Sequence, residues 1–277
     1  MFPRPRRIIV AQYAAPTGTS LLAAAELLGD NRKAIAAQVI DLVVRKVISI
    51  APLSPDRAAK SGFRLTLRET AGLGADEEDL VRALFPRFTA GTTATVVPGK
   101  TRHLSTRLRK PHRLAVARLI ASGRARERTW WDRTLTPWRR QPVEPTPAGY
   151  PTVDHLWGIR DYIDLAEKDR LNFLQSPSGA ELRGDAASGI QILLLNEKLL
   201  PYAVLFGLEK QWAKELDLGY RSIDASQLEE LGSLIDAMSV LEVLGVLVDL
   251  VDLAYALRGV GALVGGAIKL LVDVVSN

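Results

Sequence analysis

Between Ser20 and Leu67 the apolar residues change from a helical spacing to strict alternation, and that change sets the order of elements to be packed. Ser20 stands where an N-cap belongs, Leu21–Leu28 is short and apolar, and Gly29 closes it. Asp30 or Asn31 then caps a second helix, AIAAQVIDLVVRKV. In it Ile35, Val39, Leu42, Val43 and Val47 recur every three or four residues. Ile48–Ile50 reads as the start of a strand. A polar, proline-containing loop leads to Phe63–Leu67, where apolar and polar residues alternate as on a strand with one buried face. Helix, helix, strand, loop, strand is the order of a winged-helix unit.

The order recurs more loosely downstream. Asp76–Phe85 reads as a helix with its acids at the N-terminal end, where the helix dipole favours them. Thr92–Val97 is β-branched and strand-like. Pro111–Ser122 is a basic helix that opens on its proline, and Arg124–Trp131 is either a strand or an irregular exit. Residues 1–131 are therefore expected to form tandem winged-helix-like units. Residues 132–152 are proline-rich and read as a linker. A helical segment, 153–222, follows in two patterns, Val153–Leu174 and Ile190–Leu216, with a break expected near Leu200 because Pro201 cannot continue the ladder. Residues 223–277 contain the two most apolar stretches, 239–257 and 259–275. Glu242, Asp249, Asp252, Lys269 and Asp273 interrupt them, so they read as an amphipathic helical hairpin rather than as spans, packed on protein or lying on a membrane. The fold class expected is mainly α, α+β.

Charge divides the chain in two. Residues 1–140 hold 26 Lys and Arg against 11 Asp and Glu, and residues 141–277 hold 10 against 20. The extreme is Lys100–Arg140, with 13 basic side chains and 2 acidic ones. Such a stretch suits phosphates of nucleic acid or lipid, or an acidic protein partner that includes the chain's own second half. Candidate contact residues are Arg32, Lys33 and Arg45 on the second helix, and Arg107, Arg109, Lys110 and Arg113 in the basic stretch. Trp130, Trp131 and Trp138 lie among the arginines, a pairing used both for stacking on bases and at the edge of a bilayer.

Catalytic and cofactor chemistry finds little support. The chain has no cysteine, which removes disulfides, zinc ribbons, iron–sulfur clusters and thiol catalysis, and three histidines leave little room for an all-imidazole metal site. Ala94–Thr101 fits the permissive phosphate-loop pattern, but two valines and Pro98 occupy the loop where inward N–H groups are needed, so it reads as a strand-to-helix turn. Thr152, Asp154 and His155 adjoin without a nucleophile elbow. No cofactor, metal or small-molecule substrate is expected, and the chain is read as not an enzyme. The N-terminus MFPRPRRIIV is basic without an apolar core, unlike a secretion signal.

Several segments resemble the YciQ-like bacterial predicted membrane proteins, a family of unknown function. PTGTSLLAAAELLGDNRKAIAAQVIDLVVRKVISI resembles that family's first cytoplasmic element, whose pattern A-x-x-x-D-L-A-x-R-G-x-L-x-I is met by Ala37, Asp41, Leu42, Arg45, Ile48 and Ile50. Val43 and Lys46 depart from it. HLWGIRDYIDLAEKDRLNFLQSP and LNEKLLPYAVLFGLEKQWAKEL are the most specific matches. The resemblance covers residues 10–85 and 150–217 well, and 86–130 weakly. It implies a cytoplasmic interaction module of a membrane-associated protein, at the inner face of the membrane and without the family's spans. Pro201, Tyr202, Phe206 and Trp212 would be packing residues, and a protein partner or self-association is expected. The alternative reading is a winged-helix DNA-binding regulator that uses Arg32, Lys33 and Arg45.

Overall fold

The computed structural model describes residues 14–29, 33–53, 62–97, 102–129, 142–174, 198–209 and 212. Arg32, the three tryptophans at 130, 131 and 138, and the expected hairpin 223–277 lie outside the described residues. Within them the chain is mixed α and β, with small antiparallel sheets.

The first two helices follow from their ends. The Ser20 side chain accepts from Ala23 N at the start of α1 (Leu21–Leu28), and Gly29, at φ 70°, closes it by donating to the Ala25 and Glu26 carbonyls. Every residue of α1 is buried. It is the central helix, packed against α2 (Ala34–Val44) on one side and against three later elements on others. α2 stops earlier than its apolar period suggests. Lys46 adopts φ 62°, and the Lys46 and Val47 amides bond back to the Val43 and Leu42 carbonyls. That left-handed residue turns Val47 out of the helix and into the strand that follows.

β1 (Ile48–Pro52), β2 (Phe63–Leu67) and β3 (Thr93–Val96) form one antiparallel sheet with β2 in the middle, Ile48 opposite Leu67 and Phe63 opposite Val96. Phe63, Leu65 and Leu67 are buried while Arg64 is exposed, the alternation of a one-faced strand. β3 thus completes the first sheet. Between β2 and β3, α3 (Ala75–Leu84) carries Asp76, Glu77 and Glu78 in its first turn, and Glu77 Oε2 accepts from Gly74 N at 2.9 Å.

Two expectations change after β3. α4 (Arg102–Ala121) begins nine residues before Pro111, so the proline lies inside a 20-residue helix rather than at its start. The ring deprives the Arg107 carbonyl of its helical partner, and the buried face on either side, with Leu108, Ala115 and Leu119, carries the helix through. The proline-rich linker is also folded at its far end. β5 (Val143–Pro145) pairs with β4 (Ala125–Glu127), Val143 is fully buried, and α5 (Tyr150–Leu174) already starts at Tyr150. Three residues suffice for that strand because its partner and α1 supply the packing. Pro151 falls in the first turn of α5, where its missing N–H costs nothing.

Residues 198–206 form α6, which holds Pro201 in its first described turn and ends at Gly207, φ 77°, where Leu208 N bonds to Ala203 O; residues 190–197, ahead of the expected break, lie outside the described residues. One cluster of buried side chains joins all these elements.

Candidate interaction surface

In α2, residues 34–40 and Leu42 are all buried, and Lys33 and Arg45 at its two ends are paired with carboxylates. Lys33 Nζ sits 2.6 Å from Glu209 Oε1 beyond α6. Arg45 donates to Glu77 through both terminal nitrogens, at 2.5 and 3.1 Å, and to Asp41 at 3.1 Å. Its hydrogen bonds to the Glu77 carboxylate hold the Arg45 guanidinium still more firmly protonated than usual. Lys33 and Arg45 cap opposite ends of an 11-residue helix, about 18 Å apart along its axis. They form no common basic face.

The Arg45 cluster ties three helices together. Gln38, fully buried, accepts from Leu21 N at the head of α1 and donates to both Asp41 and Glu77. Burial pushes the Asp41 carboxyl up to about 6, with the Glu77 charge adding to the rise and Arg45 opposing it. The hydroxyl of Tyr202 is driven well above its ordinary range by burial and, secondarily, by the Asp41 charge. Asp41 therefore sits where α2, α3 and α6 meet.

A second polar contact crosses the core. Glu26, in the middle of α1 and 0% exposed, meets His112 of α4, with Oε1 and Nε2 2.6 Å apart. Composition and periodicity pass over both residues, yet a glutamate inside LLAAAELL is itself the signal, because a buried carboxylate requires a donor.

α4 presents the exposed cations. Arg107, Lys110 and Arg113 are exposed at three-residue steps, Arg109 is half-buried on the flank, and the opposite face is closed by Leu108, Pro111, His112, Ala115 and Leu119. Arg107 donates to the Phe85 carbonyl at 3.2 Å. Among the described residues no carboxylate pairs with Arg107, Lys110 or Arg113. Further along, Arg118 is held by Asp76 at 2.6 Å and by Asp79 on α3, and the Asp79 contact raises its pKa. Helix α4 contains no acidic residue, and its first turns carry cations where the dipole favours anions. α3 obeys the dipole and α4 opposes it. Local stability does not explain that choice of residues.

An open cleft of about 390 Å³ lies between the N-termini of α1 and α3 and the C-terminal half of α4. Its polar groups are engaged: Ser20 Oγ donates to Asp76 at 2.5 Å, Arg118 bonds the same carboxylate, and Arg124 donates to Thr19 Oγ1 at 2.8 Å. Asp76 already stands where an anion would bind. In the phosphate-loop match, Ala94–Val96 is part of β3, hydrogen-bonded into the sheet. His155 Nε2 contacts the Ala14 carbonyl at 2.7 Å.

The motif residues around Pro201 pack inward. Pro201 and Tyr202 are buried and Phe206 is half-buried within α6, whose Leu199, Leu200, Ala203, Val204 and Leu205 are also buried, and Trp212 beyond it is buried too. Among the described residues no group of three or more His, Asp or Glu is placed to hold a metal ion, and no helix is long and apolar enough to cross a membrane. No protein-family model, curated protein or solved structure matches the chain.

Proposed function

We propose that the chain is a non-enzymatic interaction module of a bacterial membrane-associated protein, acting at the cytoplasmic face and binding an anionic partner through α4. The observation that carries this reading is the exposed Arg107–Lys110–Arg113 row, which no carboxylate among the described residues neutralises. The membrane-associated part rests on the resemblance to the YciQ-like proteins, in particular on the run Leu200–Trp212. A tandem winged-helix-like organisation is supported by repetition: α1 and α2 lead into the β1–β2 pair, and α3 and α4 lead into the β4–β5 pair. The DNA-regulator alternative built on Arg32, Lys33 and Arg45 has less support, because α2 is enclosed and both Lys33 and Arg45 are tied to carboxylates.

Heparin-affinity chromatography of the full chain tests the surface without presuming which anion it serves. The wild type is expected to elute at clearly higher salt than R107Q/K110Q/R113Q, with K46Q, exposed at the end of α2, unchanged. Equal elution of wild type and triple variant would remove α4 as the binding face.

A further inference from the structure

The composition of the α4 face separates the anionic partners it could serve. Its exposed positions Thr106, Arg107, Lys110, Arg113 and Ala117 offer cations, one hydroxyl and one methyl group. Among the described residues the one exposed large hydrophobic side chain is Tyr150, which opens α5 and is not on α4. A protein interface draws most of its energy from aromatic and aliphatic anchors in a desolvated centre. An interfacial helix on a bilayer needs apolar side chains to bury at the acyl boundary. Single-stranded nucleic acid is held largely by bases stacking on aromatic rings. Among the described side chains the face supplies toward these only the half-buried Leu114, beside Lys110, which is too little apolar surface for a desolvated centre or a bilayer contact. What it supplies is charge-assisted donors on a rigid scaffold, the composition of a contact with a duplex backbone.

We propose that the α4 face binds the phosphate backbone of a nucleic-acid duplex. This rests on the reading of α4 as the anionic-partner surface and names the partner's chemistry. α4 packs against α3 and against the central helix α1 and runs directly into the β4–β5 hairpin, so the cations are held on a fixed frame. Arg107 to Arg113 spans about 9 Å along the axis, enough to follow consecutive phosphates. Arg118 and Arg126 are excluded from the count, since Asp76, Asp79 and Glu144 hold them. The helix carries no Asn or Gln to read adenine, and the predicted contact is with backbone rather than base edges. Binding is therefore weak, indifferent to sequence and set by three phosphates.

The test is fluorescence anisotropy of the full chain with a labelled mixed-sequence duplex of about 20 base pairs, titrated in KCl from about 25 to 200 mM. The logarithm of the association constant should fall against log salt with a slope of about −2.7, that is −0.9 for each of three phosphates. R107Q/K110Q/R113Q should bind at least tenfold more weakly at the lowest salt and lose most of that slope. K110Q/R113Q, which touches no bond made by the described residues, should lose about two thirds of it. Parallel arms use phosphatidylglycerol vesicles and polyglutamate. Duplex binding that the substitutions leave unchanged overturns the proposal. So does absence of duplex binding, or triple-sensitive binding to vesicles or polyglutamate in its place. If heparin retention still depends on the three cations while the duplex is not bound, the α4 surface stands and the partner class falls. If heparin retention is unaffected as well, both fall.

Discussion

Placing Glu26 wholly inside the core costs its carboxyl group hydration, and the 2.6 Å contact to His112 helps to offset that cost. Replacing Glu26 by Met leaves a buried imidazole without that acceptor and is expected to cost about 3 kcal/mol in urea unfolding. The double variant E26M/H112L should recover most of the loss, and additive losses would show that the pair is not the unit. Asp41 behaves differently. Its folded pKa, about 6, lies above the unfolded 3.8, so its contribution to stability is fully present below about pH 4 and is lost as pH rises through 6. D41N is thus expected to stabilise the protein at pH 7.5, by at most about 3 kcal/mol, and to flatten the pH dependence between 4 and 7. A variant less stable at pH 7.5 would show that Arg45 repays the burial in full. Neither residue was legible as a site from spacing. A lone acid in an apolar run announces that it needs a partner, but the partner lies 86 positions away for Glu26 and 36 for the Glu77 that crowds Asp41.

Elements with explicit ends were the most legible. α1 runs from its Ser20 cap to Gly29 as its residues dictate, and β2 spans the alternating Phe63–Leu67. α2 overran in expectation because Val47 keeps the helical period, whereas the chain leaves the helix at Lys46, a left-handed position with no glycine to mark it. Lys46→Gly should relieve that conformation and stabilise the fold by about 1 kcal/mol, measured by thermal unfolding; a loss would mean the lysine stem packs usefully there. The sequence predicts a shorter α4 because Pro111 looks like a helix start, and only the burial on both sides of it shows the longer helix. β5 escaped notice since three residues among prolines carry almost no period. Its return is close: a Cβ on Gly149 would lie 2.1 Å from the Arg124 carbonyl. Gly149→Ala is accordingly expected to destabilise by about 2 kcal/mol or more, with a neutral result contradicting the tight β5–α5 turn.

At the scale of the whole molecule, α6 and Trp212 close the fold against its beginning, with Lys33 joined to Glu209 across 176 residues. Trp212→Ala is expected to cost about 3–5 kcal/mol and to lower the unfolding midpoint of the whole chain in one transition. An early separate transition would show that the segment around Trp212 is an independent appendage. This closure also explains why helical periodicity takes α2 for a helix with an open face. The period of α2 reveals one buried face, but the other face is covered by chain from far along the sequence, which a local pattern cannot register. The basic stretch, by contrast, pointed to α4 through composition alone, because charge needs no partner to be visible. Lysine footprinting decides most directly between the two helices. The full chain is acetylated with and without heparin, and the rates at Lys110 on α4 and Lys46 at the end of α2, both exposed, are compared by mass spectrometry. The account predicts that the polyanion protects Lys110 several-fold and leaves Lys46 at its original rate, and protection of Lys46 with Lys110 still fully reactive would contradict it.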